Sequence, residues 1–164
     1  MPLSKPWDGI RETGLKTLIS KDNAVAQYDY GPSVSITLEG VQPSSGKILA
    51  VALYASETGS GAIITEAGRL FIFDANPAVA NGDANLVVGE WPTIVATITI
   101  AASDWIEENA SGAGSMVYKV GTEYPFHAVQ TLYAVYYHEG TTTINSAAGD
   151  EETLKLNLWY ERYS

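Results

Sequence analysis

Residues 153–160, Thr153-Leu154-Lys155-Leu156-Asn157-Leu158-Trp159-Tyr160, alternate with a period of two: Leu154, Leu156, Leu158 and Tyr160 fall on one side, and Thr153, Lys155, Asn157 and Trp159 on the other. Successive side chains of an extended chain point to opposite faces, so the pattern predicts a strand with one face in a core. Upstream, residues 132–137 (Leu132-Tyr133-Ala134-Val135-Tyr136-Tyr137) are apolar or aromatic at every position. That fits a strand covered on both sides, in the middle of a sheet. Between the two, Gly140 to Glu152 is rich in Thr, Ser, Ala, Gly and acid, too long for a tight hairpin, and is expected to be a crossing or rim connection.

The same two patterns recur toward the N-terminus. Lys47 to Ala55 is apolar on both faces and reads as a second central strand, whereas Val34, Ile36 and Leu38 alternate with Ser35 and Thr37 as a one-sided strand. Ile94, Ala96, Ile98 and Ile100 alternate with Val95, Thr97 and Thr99 in the same way. Leu15–Ile19, Met116–Val120 and Tyr124–Val129 are shorter candidates, with Pro125 placing the last at an edge or a bulge. Ala62–Thr65 and Arg69–Phe73 flank Glu66-Ala67-Gly68 as an expected hairpin, with Phe71 and Phe73 on one face. Gly40 to Gly46 reads as a turn, and Asp74 to Pro92 as a long excursion. Asp104 and Glu107 have capping-box spacing for one short helix over Ser103–Asn109. Short strands between turn clusters, with no room for βαβ units, predict an all-β fold. Its form is a two-sheet antiparallel sandwich, a jelly roll of eight to ten strands with at most one short helix. Residues 1–14, with Pro2, Pro6 and an isolated Trp7, are expected to form an extended N-terminal arm, and residues 15–164 a single sandwich domain.

Composition narrows the function. A net charge of −10 with nine Lys and Arg opposes binding to nucleic acid or to an anionic membrane surface. No stretch approaches the roughly 20 apolar residues of a spanning helix, and the N-terminal residues lack the apolar segment of an export signal. The chain has no cysteine, so disulfides and thiolate metal sites are excluded.

Motifs for chemistry are weak. Gly40 to Lys47 has the wrong spacing for a phosphate loop and leads into a strand. Asp74, Asn76, Asn81 and Asp83 fail the calcium-loop spacing, because Ala78 stands at the third ligand place, and read as turn formers. Asp150, Glu151 and Glu152 read as a solvated acidic rim. His127 and His138 are the two imidazoles, and His138 is expected at a strand end near solvent. A cupin-like enzyme would require both to converge with a carboxylate; otherwise the expectation is no enzyme and no cofactor or metal.

The informative excess is aromatic: ten Tyr and four Trp. Rings beyond what a core needs suit a protein interface or a sugar platform. The candidate interface residues are Trp7, Tyr133, Tyr137, Trp159 and Tyr163.

Tyr133-Ala134-Val135-Tyr136-Tyr137, Gly140-Thr141-Thr142, Ala148-Gly149-Asp150-Glu151-Glu152, Leu154-Lys155-Leu156-Asn157 and Trp159-Tyr160-Glu161-Arg162 together resemble the C-terminal region of small structural proteins encoded beside the major capsid protein in tailed bacteriophages. Leu70-Phe71-Ile72-Phe73-Asp74-Ala75-Asn76-Pro77, with Gly82-Asp83, and Ala101-Ala102-Ser103-Asp104-Trp105 are similar too. The resemblance implies a jelly-roll decoration, or cement, protein on the outer capsid surface of a virion, made in the host cytoplasm. The implied partners are the major capsid protein and other copies of itself, a homotrimer being favoured over a dimer. The competing expectation is a lectin-like carbohydrate-binding sandwich.

Overall fold

The computed structural model describes residues 9–39, 43–57, 64–86, 88–107 and 114–163. They form ten strands and two short 3-10 turns, Val88–Thr93 and Ala102–Asp104. In chain order the strands are β1 (Ile10–Glu12), β2 (Lys16–Ile19), β3 (Val34–Thr37), β4 (Ser44–Glu57), β5 (Gly68–Phe73), β6 (Ile94–Ile100), β7 (Ile106–Glu107), β8 (Gly114–Val129), β9 (Thr131–His138) and β10 (Glu152–Arg162).

The larger sheet runs β1-β10-β4-β8-β7, with β2 beside β1 on the same edge of β10, and the smaller runs β3-β9-β5-β6. Every pairing is antiparallel. With the short β1 and β7 set aside, the order 2-10-4-8 faces 3-9-5-6, and the chain crosses repeatedly between the sheets. This is the wiring of a jelly roll. Both strands with two-sided apolar patterns are interior: β9 lies between β3 and β5, and β4 between β10 and β8.

The core lies between the sheets. From the larger sheet, β10 contributes Leu154, Leu156, Leu158 and Tyr160, and β4 contributes Ile48, Val51, Leu53 and Ala55. The smaller sheet answers with Ile36, Leu70, Ile72, Ile98, Ile100, Leu132 and Tyr136 among others. Gly68 is required by one of these. A Cβ there would meet the Tyr136 hydroxyl, lie 2.6 Å from its Cζ and lie 2.8 Å from the Tyr137 carbonyl oxygen, so only glycine lets the phenol pass.

A second, smaller core covers the outer face of the smaller sheet, where Phe71, Phe73 and Val135 pack with Tyr30, Val79 and Leu86 from the long connections. Those connections satisfy their own backbone: the Asn76 carboxamide accepts from Ala78 N (2.9 Å) and the Asp83 carboxylate from Ala80 N (2.8 Å). These are the turn roles expected of such residues.

Several local expectations are corrected. The helix over 103–109 is absent among the described residues: a single 3-10 turn ends at Asp104 and Trp105 follows in extended conformation. Asp104 serves that turn from its end, accepting from Ala101 N at 2.7 Å. The hairpin around Glu66–Gly68 does not form, because Ile64 and Thr65 lie outside any strand and β5 pairs with β6 and β9. The turn ascribed to 40–46 gives way to strand from Ser44. The candidates 116–120 and 124–129 are one strand, β8, carrying register shifts near Glu123 (φ 46°) and Ala128 (φ 51°). Left-handed residues at bulges bend a strand without ending it. Of the expected arm, residues 10–12 are stitched to β10 as an edge strand, and residues 1–8, with Trp7, lie outside the described residues.

Candidate functional site on the outer face of the larger sheet

The outward residues of three neighbouring strands form a regular array. On β4 these are Ala50, Ala52 and Tyr54; they pair with Trp159, Asn157 and Lys155 of β10 on one side and with Val120, Tyr118 and Met116 of β8 on the other. Ile106 of β7 extends the array beside Met116. The small side chains of Ala50 and Ala52 leave room over β4, where the rings of Tyr118 and Trp159 meet edge to face, with centroids 5.6 Å apart and planes at 81°. Tyr118 is 51% exposed, Ile106 59% and Val120 66%, while Trp159, Tyr54 and Met116 are half-buried. Lys155 is the one charged member of this array, in a chain of net charge −10. An aromatic and aliphatic face with a single charge has the composition of a protein interface centre.

The expected interface residues separate onto different surfaces. Trp159 belongs to this array. Tyr133 and Tyr137 lie on the opposite side of the sandwich, half-buried against the second core, where Tyr137 packs on Tyr30 at a centroid distance of 4.6 Å. Burial, followed by the nearby Glu139, pushes the Tyr137 hydroxyl pKa up. Tyr163 is exposed just past the end of β10, its backbone N–H donating to Ser45 O (2.9 Å). It lines a cavity of about 460 Å³ with Phe126 and His127. No single flat contact can use all four. Tyr118, Val120 and Ile106 were not among the expected residues, although the alternation of Met116, Tyr118 and Val120 carries the signal.

The imidazoles do not converge. His127 is exposed and shares a hydrogen bond with Ser45 Oγ (3.0 Å), whereas His138 lines a separate cavity with Glu66 and Glu152. His138 is not near solvent as expected: it is 1% exposed, because β5 and the connection after β9 close over it. Glu152 also departs from the wet acidic rim. It is 4% exposed and locked to Asn145, whose side-chain carbonyl accepts from Glu152 N (2.8 Å) and whose amide donates to Glu152 O (2.9 Å). No group of three His, Cys, Asp or Glu close enough to hold a metal occurs among the described residues.

No protein-family model matches the chain, and no curated protein matches it by sequence. Among solved structures it is similar to the crystal structure of FlhE, at 15% identity over 93% of this chain and 96% of that one, with a TM-score of 0.37.

Proposed function

We propose that the chain is a structural binding protein that decorates a phage capsid and stabilises it by bridging neighbouring capsid subunits, with the outer face of the larger sheet as its docking surface. The observation that carries the reading is the array of exposed Tyr118, Val120 and Ile106 with half-buried Trp159 on the sheet strands β8, β7 and β10. Aromatic anchors at the centre of a flat face are what interface hot spots use. The jelly roll and the sequence resemblance to phage structural proteins support the same reading. The major capsid protein is the partner, and a homotrimer on a local three-fold site is the favoured assembly. Several weak patches on one rigid oligomer then act together, since binding of one raises the effective concentration of the rest. The carbohydrate-binding reading is less well supported, because a sugar platform needs coplanar rings and those of Tyr118 and Trp159 stand at 81°.

The test mixes purified protein with shells stripped of it. Val120→Asp places a charge on an exposed position and leaves the core untouched; paired with Tyr118→Ala it should weaken shell binding by at least about thirtyfold, the scale of hot-spot losses. Deleting residues 1–8, which spares β1, tests whether Trp7 adds to the grip. Wild-type protein that never binds the shells ends the decoration reading, and full binding by the double variant ends the role of this face.

A further inference from the structure

Edge strands carry unpaired backbone groups, and in this sandwich they are guarded unevenly. On the larger sheet β1 carries Arg11 and Glu12, and β7 is two residues long with Glu107 as one of them. On the smaller sheet β3 has four residues. The opposite edge, β6, runs for seven residues, Ile94 to Ile100, without a charge, a proline or a glycine.

The ladder fixes which groups of β6 are free. Ala67 O accepts from Glu139 N at 3.0 Å, so Ala67, Arg69 and Phe71 turn their backbone groups toward β9, and Gly68, Leu70 and Ile72 turn theirs toward β6. The partners of those three are Ile100, Ile98 and Ala96, which leaves the N–H and C=O of Thr97 and Thr99 pointing away from the sheet. The Thr97 carbonyl agrees with this, since it accepts from the Tyr124 hydroxyl at 2.8 Å, outside the ladder. A carbonyl oxygen has two lone pairs, so that bond leaves room for a second donor. Among the described residues the Thr97 N–H and both backbone groups of Thr99 have no partner. Thr97 and Thr99 are exposed, whereas Ala96, Ile98 and Ile100 face the core.

A strand added here continues the inner row of Ala96, Ile98 and Ile100 and the outer row of Thr97 and Thr99, so it has to alternate apolar with polar residues in the same phase. Residues 96–100, Ala-Thr-Ile-Thr-Ile, meet that condition themselves, and their pattern reads the same in both directions about Ile98. We propose that β6 pairs antiparallel with β6 of a second copy of this chain, about a two-fold axis at Ile98, joining two four-stranded sheets into one. Thr97 then lies opposite Thr99 of the partner subunit and exchanges both backbone hydrogen bonds with it, and the symmetric pair does the same. The Thr side chains meet across the strands on the outer face. This register uses the regular part of β6 and avoids Val95, where the β5–β6 ladder shifts. The contact is isologous, so it closes as a pair instead of growing. It leaves the outer face of the larger sheet free, and because a two-fold contact cannot close a trimer, it links one such assembly to the next.

Amide hydrogen exchange on the full-length protein, followed by NMR from about 1 mM down to dilute monomer, reads this contact directly. The Thr97 and Thr99 amides are expected to exchange at least about tenfold more slowly in dimer than in monomer, while those of Ala96, Ile98 and Ile100, already bonded to β5, change little. Each copy carries a net charge of −10, so added salt should strengthen the dimer seen in sedimentation. Thr97→Lys combined with Thr99→Lys, both at exposed positions, sets like charges opposite each other and should weaken dimerisation at least about tenfold. A chain that stays monomeric up to about 1 mM, an oligomer in which the Thr97 and Thr99 amides are no slower, or one that the double variant leaves intact overturns the proposal. The wild-type exchange pattern decides even if the variant does not fold.

Discussion

Replacing Tyr136 by Phe should stabilise this protein, against the usual direction for a buried tyrosine. Tyr136 is 1% exposed, and its hydroxyl has no hydrogen-bond partner among the described residues. A buried polar group left unpaired costs about 1–3 kcal/mol, and Phe removes the hydroxyl while keeping the ring that fills the core beneath Gly68. At about 2–4 °C per kcal/mol for a domain of this size, the melting temperature at pH 8 should rise by several degrees. Alkaline pH gives a second readout. Burial, followed by the fields of Glu139 and Glu66, pushes the hydroxyl pKa well above its ordinary 10.0. Above pH 10.0 the unfolded chain releases this proton while the folded chain holds it. Stability therefore falls as pH rises, by about 1.4 kcal/mol per unit from this one group. Tyr136→Phe removes that share of the slope, so its advantage in urea unfolding should grow between pH 10 and pH 11. A variant less stable than wild type by about 1 kcal/mol at pH 8, with an unchanged alkaline slope, would refute the reasoning and mean that ordered water satisfies the hydroxyl.

Three further substitutions probe other parts of the structure. Leu156→Ala, in the middle of β10 and fully buried, should cost about 2–5 kcal/mol in urea unfolding, the range for leucine cavities in well-packed cores. Asn145→Ala removes the amide that donates to Ser20 O, Asn23 O and Glu152 O and leaves alanine at φ 53°. One buried and two part-buried bonds, with a left-handed backbone, are together worth about 3 kcal/mol, visible as a loss of thermal stability. Asp104 hydrogen bonds with Lys119 (2.6 Å) and Ala101 N, which hold its carboxyl below the ordinary 3.8. The resulting stability is present above pH 3.8 and lost as pH falls through the depressed value. Asp104→Asn should therefore lower stability at pH 6 by up to about 1 kcal/mol, and by less at pH 2.5, in paired thermal melts.

The sheet architecture was legible because burial imposes period. The strand covered on both sides, at 132–137, wrote itself as an unbroken apolar run, as did 48–55, whose outward Ala50 and Ala52 are buried, and β10 as a strict alternation. What alternation cannot encode is which outward face stays bare. Tyr133 and Trp159 both stand on the less apolar side of a strand, but among the described residues loops close over the smaller sheet, so only Trp159 stays in an open array. The burial of His138 and Glu152 was illegible for a related reason. Their partners, Glu66 and Asn145, reach them through connections whose paths follow no period. Bulges at Glu123 and Ala128 likewise imitate a strand break, because a left-handed residue within a strand leaves no apolar signature.

The attachment of β1 has a mechanical consequence. Ile10 pairs with Glu161 and Glu12 with Trp159, so residues 9 and 163 lie at the same end of one antiparallel pair. Tension applied between tethers at those two points loads the ladder one hydrogen bond after another, as a zip opens, instead of shearing all of them together. A short strand opposed in this way peels at low force. Load entering through the outer face of the larger sheet is shared across β10, β4 and β8, which are paired along most of their length. The molecule is thus compliant when pulled at residues 9 and 163 and stiff when gripped by its face.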